Sequence, residues 1–306
     1  MNCWAECSRG SPISKKPEHI RTIFKREEKI KCTMPNISFR AQEVVINDIK
    51  GAQIFKFMRD DLQPNNGEIN GSKHNGDINT AQEYMNDQTE NFEISGFHFN
   101  EEMIGKLKER SGALSSFVAV SAHFWRCVTR ARELPEKEAV DFGVIANSRG
   151  RVKAALPQTY FGNCVCMGVA RTRVKQLLGQ DIRFAAALIQ ELIKSCTAEE
   201  QINNLIEWVD YRLRSGSPLH SLAVETFGGR YFVGAVNSPK FPVYELDYGW
   251  GKPLNAQTGV LYEDGGMMLF PGRGRDDGGR SIEIYTRLPR RQMETLKRIL
   301  MIIPDF

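Results

Sequence analysis

Histidine is the side chain that most often serves as a general base, so the five histidines of the sequence are the first candidates for chemistry. A nearby carboxylate can orient an imidazole ring, and only His98 has one four residues further along, at Glu102. This pair falls at a predicted junction between a strand and a helix. Because most single histidines are packed or solvated, we interpret His98 as a structural residue.

Two adjacent hydroxyls, Ser115 and Ser116, precede an apolar run that contains Phe117, Val120 and Phe124. This pattern predicts a buried helix that begins at the serines. The unpaired backbone N–H groups of such a helix start, together with the hydroxyls, offer a seat for a phosphate or pantetheine group. A plain helix cap is an equally good interpretation.

The cysteines and a glycine-rich arginine segment suggest other chemistry, but the pattern supports neither. Cys164 and Cys166 lie two apart in a strand-like run, and no second pair of Cys or His has the spacing of a zinc site, so we interpret them as small buried residues. Arg273, Arg275 and Arg280 lie among glycines, but no Gly-Lys-Ser/Thr follows them. A hairpin loop is the better interpretation of that segment.

The composition restricts the class of protein. A chain of 306 residues can bury a large core, which argues against a small binding module. The 41 Lys and Arg residues exceed the 37 Asp and Glu residues by four and are spread along the chain, so we expect no binding of nucleic acid. The chain has no run of 18 apolar residues, which argues against a membrane-spanning helix. Its seven cysteines are an odd number, and we interpret them as free thiols in a reducing compartment. We therefore expect a protein that does not bind membranes, located in the cytoplasm.

Strands and helices alternate along most of the chain. Residues 1–10 predict the end of a helix, and the polar stretch from Asp60 to Asn91 predicts disorder. Further on, strands are predicted at 92–99, 142–146, 164–169, 231–236, around Val243, at 267–270 and at 281–285, with two helices between Val174 and Tyr211 and a last helix over 290–299. This mixture indicates an α/β layered fold.

A run of seven residues carries a family resemblance. Asp247-Tyr248-Gly249-Trp250-Gly251-Lys252-Pro253 is similar to the Asp-Phe-Gly-Trp-Gly signature of the plant BAHD acyl-CoA-dependent acyltransferases. Other stretches agree with that family in order: 1–10, 115–117 with 125–126, 147–151, 160–163 and 262–272. The sequence is therefore identified as a member of this family, similar to its hydroxycinnamoyltransferases.

The resemblance implies a fold and a reaction. It implies a two-domain fold like that of chloramphenicol acetyltransferase, with a mixed sheet flanked by helices and most of the first domain missing. Residues 1–50 would be the remnant of the first domain, 51–92 the crossover linker with a polar insertion, and 93–306 the second domain, of which about 240–262 would pack against the first. It also implies acyl transfer from acyl-CoA to a small alcohol or amine acceptor, without a permanently bound cofactor, and a monomeric full-length protein.

The resemblance also assigns roles to residues. Asp247 to Gly251 would form a structural motif in which Asp247 pairs with Arg149. In such an enzyme the ligand at the helix start of Ser115 and Ser116 would be CoA. Lys240 stands where hydroxycinnamoyltransferases carry an Arg that holds the carboxylate of the acceptor; an exposed surface lysine is the alternative interpretation.

The catalytic motif of the family, His-x-x-x-Asp, is absent from this sequence. In the family it lies shortly before the helix that 1–10 resembles. Two hypotheses therefore stand: an acyltransferase, or a catalytically inactive fragment or pseudoenzyme that lacks the base.

Overall fold

The computed structural model describes residues 2–18, 39–45, 52–59, 92–150, 159–215, 231–236, 238–257, 264–273 and 280–303. His19, His74, His220 and Arg275 lie outside these ranges, as does the stretch 60–91 for which we predict disorder. Within these ranges, no helix has both the length and the apolar character that crossing a membrane requires.

The elements follow one another in the predicted α/β manner. The helices are α1 (Asn2–Ser8), α2 (Glu101–Ser111), α3 (Ser116–Ala131), α4 (Val174–Gly179), α5 (Ile182–Cys196), α6 (Glu199–Ser215) and α7 (Arg290–Ile299). The strands are β1 (Phe39–Val45), β2 (Ala52–Arg59), β3 (Phe92–Phe99), β4 (Ala139–Asn147), β5 (Val165–Arg173), β6 (Phe232–Val236), β7 (Gly266–Pro271) and β8 (Ile282–Pro289).

Local capping explains where helices α2 and α3 begin. The side chain of Asn100 accepts a hydrogen bond from the backbone N–H of Met103 at 2.9 Å, and Ser115 accepts one from Val118 at 3.2 Å. Gly112 ends α2 in the left-handed conformation, with φ at 63°. The predicted start of a buried helix at the serines is therefore confirmed.

The strands form one sheet in the order β1-β2-β5-β4-β6-β7-β8-β3. Strands β4, β6 and β7 run parallel to one another, whereas the other neighbouring strands of the described chain pair antiparallel. The predicted mixed sheet flanked by helices is thus confirmed. β1 and β2 join the sheet through β5, although they fall in the ranges 1–50 and 51–92; the division of the chain into domains stays a prediction.

The main core lies between one face of the sheet and helices α2 to α5 and α7. Alternate residues of each strand point to that face. The rings of Trp125 on α3 and Phe142 on β4, for example, lie 5.4 Å apart between centroids. We call the opposite face the loop face, because the segment 238–257 packs against Phe270 and Tyr285 there through Val243 and Ala256.

Two predicted elements differ from the structure. Val243 belongs to a short 3₁₀ turn, Val243–Glu245, and not to a strand. Pro239 and Pro242, which have no backbone N–H, prevent this segment from pairing as a central strand. The region 174–211 holds three helices, because the side chain of Asp181 caps a new helix after α4 has ended at Gly179.

Two glycines provide a matched test of the packing. A Cβ atom on Gly168 of β5 would lie 2.8 Å from Leu192 Cδ1 and 2.9 Å from Cys196 Cβ of α5, so Gly168→Ala should lower the free energy of unfolding by about 1–3 kcal/mol. Gly105 on the exposed side of α2 has open space around it, so Gly105→Ala should raise that free energy by about 0.5–1 kcal/mol. Urea unfolding checks both, and a stabilising Gly168→Ala would contradict the packing of α5.

Candidate functional site

The loop that carries the Asp-Tyr-Gly-Trp-Gly sequence is shaped by its own aspartate. Asp247 Oδ1 accepts hydrogen bonds from the backbone N–H of Gly249 at 2.8 Å and of Gly251 at 3.0 Å. Both glycines have positive φ angles, 105° and 95°, which residues with a side chain rarely adopt. These backbone hydrogen bonds, first that of Gly249, lower the pKa of Asp247. The turn presents Trp250 outward with 94% of its surface exposed.

Helix α1 lies against this loop. The hydroxyl of Ser8 lies 2.9 Å from the carbonyl oxygens of both Tyr248 and Ala5, so its proton bridges the loop and the helix. The charge of Arg9 contributes to the lowered pKa of Asp247. The beginning of the chain and the motif loop, 240 residues apart in sequence at Ser8 and Tyr248, are therefore neighbours.

The prediction that Asp247 forms an ion pair with Arg149 is wrong. Arg149 donates from Nε to the carbonyl oxygen of Tyr160 at 3.2 Å, from Nη2 to that of Gly162 and from Nη1 to Asn147 Oδ1 at 3.1 Å. These partners occupy its planar fork, while the amides of the motif loop occupy Asp247. Each charged group is satisfied locally, so the pair does not form.

The segment after α1 also pairs with the loop that Arg149 holds. The backbone N–H of Glu18 donates to the carbonyl of Thr159 at 2.9 Å, and the N–H of Phe161 donates to the carbonyl of Glu18 at 2.8 Å. A Cβ atom on Gly162 would lie only 2.4 Å from the hydroxyl oxygen of Tyr160, so a larger residue there would have to displace the tyrosine ring. Residues 2–18 therefore contact two of the stretches that carry the resemblance.

Ser115 and Ser116 stand at the start of α3, as predicted. Ser115 is exposed and uses its hydroxyl oxygen to cap the helix, whereas Ser116 is half-buried. The cap leaves the first backbone N–H groups of a 16-residue helix directed toward a potential anion. The geometry is compatible with both interpretations made from the sequence.

Lys240 lies in the turn before Val243–Glu245 and is exposed. Its backbone N–H donates to the hydroxyl of Ser238 at 3.2 Å. In the described part of the chain its ammonium group forms no ion pair, whereas Lys252 nearby binds Glu245 at 2.6 Å. The ammonium of Lys240 is therefore available to a ligand but is not held in position.

The structure describes two histidines, and neither forms a His-x-x-x-Asp arrangement. His98 Nδ1 lies 2.8 Å from Glu283, directly opposite on β8, while Glu102 pairs with Lys106. His98 points to the loop face, whereas Glu102 belongs to the first turn of α2. The pairing of His98 with Glu102 that the sequence suggests is therefore not formed.

The second histidine, His123, lies inside the helical layer. Its Nε2 hydrogen-bonds to the carbonyl oxygen of Leu300 at 2.7 Å. Burial lowers the pKa of His123 to about 4, with smaller contributions from nearby arginines. An imidazole in this position is part of the core and cannot reach a substrate.

The cysteines and the glycine-rich arginine segment lie in surroundings that fit structural roles. Cys164 and Cys166 are buried, which confirms that interpretation, and burial raises the pKa of the Cys164 thiol. Among the described residues no group of three potential ligands could hold a metal ion. The segment of Arg273 and Arg280 connects β7 to β8, which pair antiparallel as a hairpin requires.

Sequence reasoning missed a polar group on the loop face, formed by His98, Glu283, Arg273 and Tyr285. The alternation of Ile282, Glu283, Ile284 and Tyr285 was the available signal, since it places the two polar residues on one face of β8. The contact of Arg9 and Ser8 with the motif loop had no such signal.

Comparisons with known proteins agree with the resemblance. A family model described as the Transferase family matches residues 1–300. The chain is 30% identical over 210 residues to BAHD acyltransferase DCR of Arabidopsis thaliana, covering 65% of this chain and 41% of that protein. It is 19% identical over 317 residues to hydroxycinnamoyltransferase 1 of Oryza sativa subsp. japonica, covering 98% of this chain and 61% of that protein.

Solved structures share the fold. F. graminearum TRI101 complexed with coenzyme A and T-2 mycotoxin matches with a TM-score of 0.64 at 14% identity, over 96% of this chain and 59% of that one. Vinorine synthase matches with a TM-score of 0.51 at 20% identity, over 67% and 46%. The chain spans about two fifths of the length of the first curated relatives that it matches.

The motif loop yields a prediction about its brace. Asp247→Ala removes the acceptor of the Gly249 and Gly251 amides, so both should exchange hydrogen with solvent faster, whereas Asp247→Asn keeps an oxygen and should retain most of the protection. Because the pKa of Asp247 is lowered, full protection should persist as the pH falls through the ordinary Asp range, near 4, and should decrease only below it, to the level of Asp247→Asn, since a protonated carboxyl group keeps an acceptor oxygen. Amide exchange measured by NMR checks this. Unchanged exchange in Asp247→Ala would contradict the role of Asp247 in holding the loop.

Proposed function

The chain belongs to the plant BAHD acyltransferase family, whose Transferase model matches residues 1–300, and from this membership we propose that the protein transfers an acyl group from acyl-CoA to an alcohol or amine. In this reaction the acceptor loses a proton, its oxygen or nitrogen bonds to the thioester carbonyl carbon, and CoA leaves as the thiol. The match to the family model is the observation that carries the proposal.

A specific observation favours a second candidate for this polypeptide taken alone. None of its five histidines is followed four residues later by Asp, and of the two that the structure describes, one is buried and one pairs with Glu283. The 306 residues would then bind acyl-CoA without turning it over. In this proposal residues 1–50 are the remnant of the first domain, 51–92 are the crossover linker and 93–306 are the second domain.

The segment 240–262 supplies the proposed contact between the two domains. Trp250 is 94% exposed and Leu254 is 89% exposed, and both lie in this segment. Large apolar side chains presented together on a surface are typical of an interaction site. We infer that this segment packs against the remainder of the family fold, with the motif loop in a structural role.

One experiment separates the two candidates. The 306-residue chain is incubated with a series of acyl-CoA thioesters and acceptors, and the products are measured by mass spectrometry. If the base is required, turnover should appear only in a longer polypeptide that supplies a His-x-x-x-Asp motif before residue 1. Sustained turnover by the 306-residue chain that survives replacement of each of its five histidines would contradict a histidine base.

A second prediction concerns the proposed CoA site at the start of α3. Ser115→Asp keeps a good cap but places a negative charge beside the phosphates, so it should weaken CoA binding about tenfold without lowering the melting temperature. Ser115→Ala loses the cap and should lower stability by about 1 kcal/mol. Asn100→Ala, which removes the cap of α2, is the matched control. Unchanged CoA affinity in Ser115→Asp would leave the serines with a capping role only.

A further inference from the structure

Four polar side chains form a cluster on the loop face where β3, β8 and the end of β7 meet. Glu283 Oε1 lies 2.8 Å from His98 Nδ1 and 4.0 Å from Arg273 Nε. Arg273 Nη2 donates to the hydroxyl of Tyr285 at 2.8 Å. The cluster lies outside the motif loop, and neither of the two candidate functions assigns it a role.

The two residues that hold Arg273 are fixed in the sheet. Only 7% of the surface of Tyr285 is exposed. Its ring lies over Gly96, where an added Cβ atom would be 2.8 Å from the ring atom Cε1. The ring also meets Phe270 edge to face at 5.8 Å. Glu283 is equally buried at 7% exposure. A guanidinium held by such partners loses little further freedom when it binds a ligand.

Arg273 nevertheless keeps hydrogen-bond donors for a ligand. Its side chain is half-exposed, and among the described residues its only hydrogen bond is the one to Tyr285. Oε1 of Glu283, the carboxylate oxygen nearest to Arg273, is engaged by His98, and the ion pair with Arg273 remains at 4.0 Å. The hydrogen bond to Tyr285 raises the pKa of Arg273, and Glu283 adds to that effect.

We propose that Arg273 binds an oxyanion group of a substrate, a carboxylate or a phosphate, on the loop face. The planar fork of an arginine matches either group through paired N–H···O bonds. Lys240 is the competing cation, but its ammonium is a point charge on a flexible stem without an ion pair in the described chain. The assignment of the anion to a substrate rests on the proposed acyl transfer.

The segment that carries Lys240 also reaches Arg273. Tyr244, four residues after Lys240, is close enough to contribute to the raised pKa of Arg273, and its hydroxyl accepts a hydrogen bond from Ala256 at 3.2 Å. Val243 and Ala256 pack on Phe270 and Tyr285. The segment that carries the motif loop therefore packs next to the proposed site.

The test titrates the 306-residue chain by calorimetry with three probes: para-hydroxybenzoate, its neutral analogue para-hydroxybenzyl alcohol, and coenzyme A. Arg273→Gln removes the charge and keeps an amide. Tyr285→Phe removes only the hydroxyl that accepts the hydrogen bond from Arg273. Lys240→Gln is the matched control for loss of a cation. Arg273→Gln should weaken one of the two anionic probes about tenfold or more and leave the alcohol unchanged. Tyr285→Phe should give a smaller loss for the same probe.

Each result has one meaning. A loss confined to para-hydroxybenzoate supports the site and assigns the anion to the acceptor, and a loss confined to coenzyme A supports it and assigns the anion to the donor. Equal affinities in Arg273→Gln and wild type, a loss produced wholly by Lys240→Gln, or no binding of either anion by the wild type would overturn the proposal. Binding of para-hydroxybenzoate without any binding of coenzyme A would sink the proposed acyl transfer while the anion site stands.

Discussion

Burial of helix α3 is the constraint on which the arrangement of the other elements depends. All but three of its 16 residues are buried, and the buried set includes Arg126. Burying a cation costs free energy unless it is paired, and Arg126 donates to the carbonyl of Gln180 at 2.6 Å, just beyond α4. Arg132, at the end of the helix, binds Asp264 at 3.0 Å before β7. The two arginines thus tie the helical layer to the end of α4 and to the centre of the sheet.

Because α3 and its neighbours cover one face of the sheet, the polar residues at alternate strand positions point to the loop face. They are paired there across strands. Arg171 binds both carboxylate oxygens of Asp141, at 2.7 and 2.6 Å, and the two residues are directly opposite in register, as are His98 and Glu283. The pair of His98 and Glu283, next to the small apolar cluster of Phe270 and Tyr285, resembles the lining of a ligand site more than a dry protein core.

Local patterns in the sequence predicted the elements that local forces determine. The helix predicted near 290–299 and the strand predicted over 92–99 are both present in the structure, since periodicity and neighbouring turn residues define both. Contacts between distant residues could not be obtained in this way. Arg149 has its fork filled by carbonyls of the 160–162 loop, and His98 finds Glu283 185 residues away, because strand order and register decide those encounters. Neither order nor register is written in local propensity.

The motif loop itself is a local structure, and this limits what its sequence can indicate. Asp247 binds amides only two and four residues ahead, and the two glycines supply the positive φ angles that the turn needs. The loop therefore keeps its shape without Arg149 and without any catalytic group. Its contact with Ser8 shows where the loop meets helix α1, and its outward Trp250 lies on the surface that we propose to meet the rest of the family fold. A sequence of this kind identifies an architecture, whereas the proposed acyl transfer needs a base and the proposed anion site needs Arg273, and the loop contains neither.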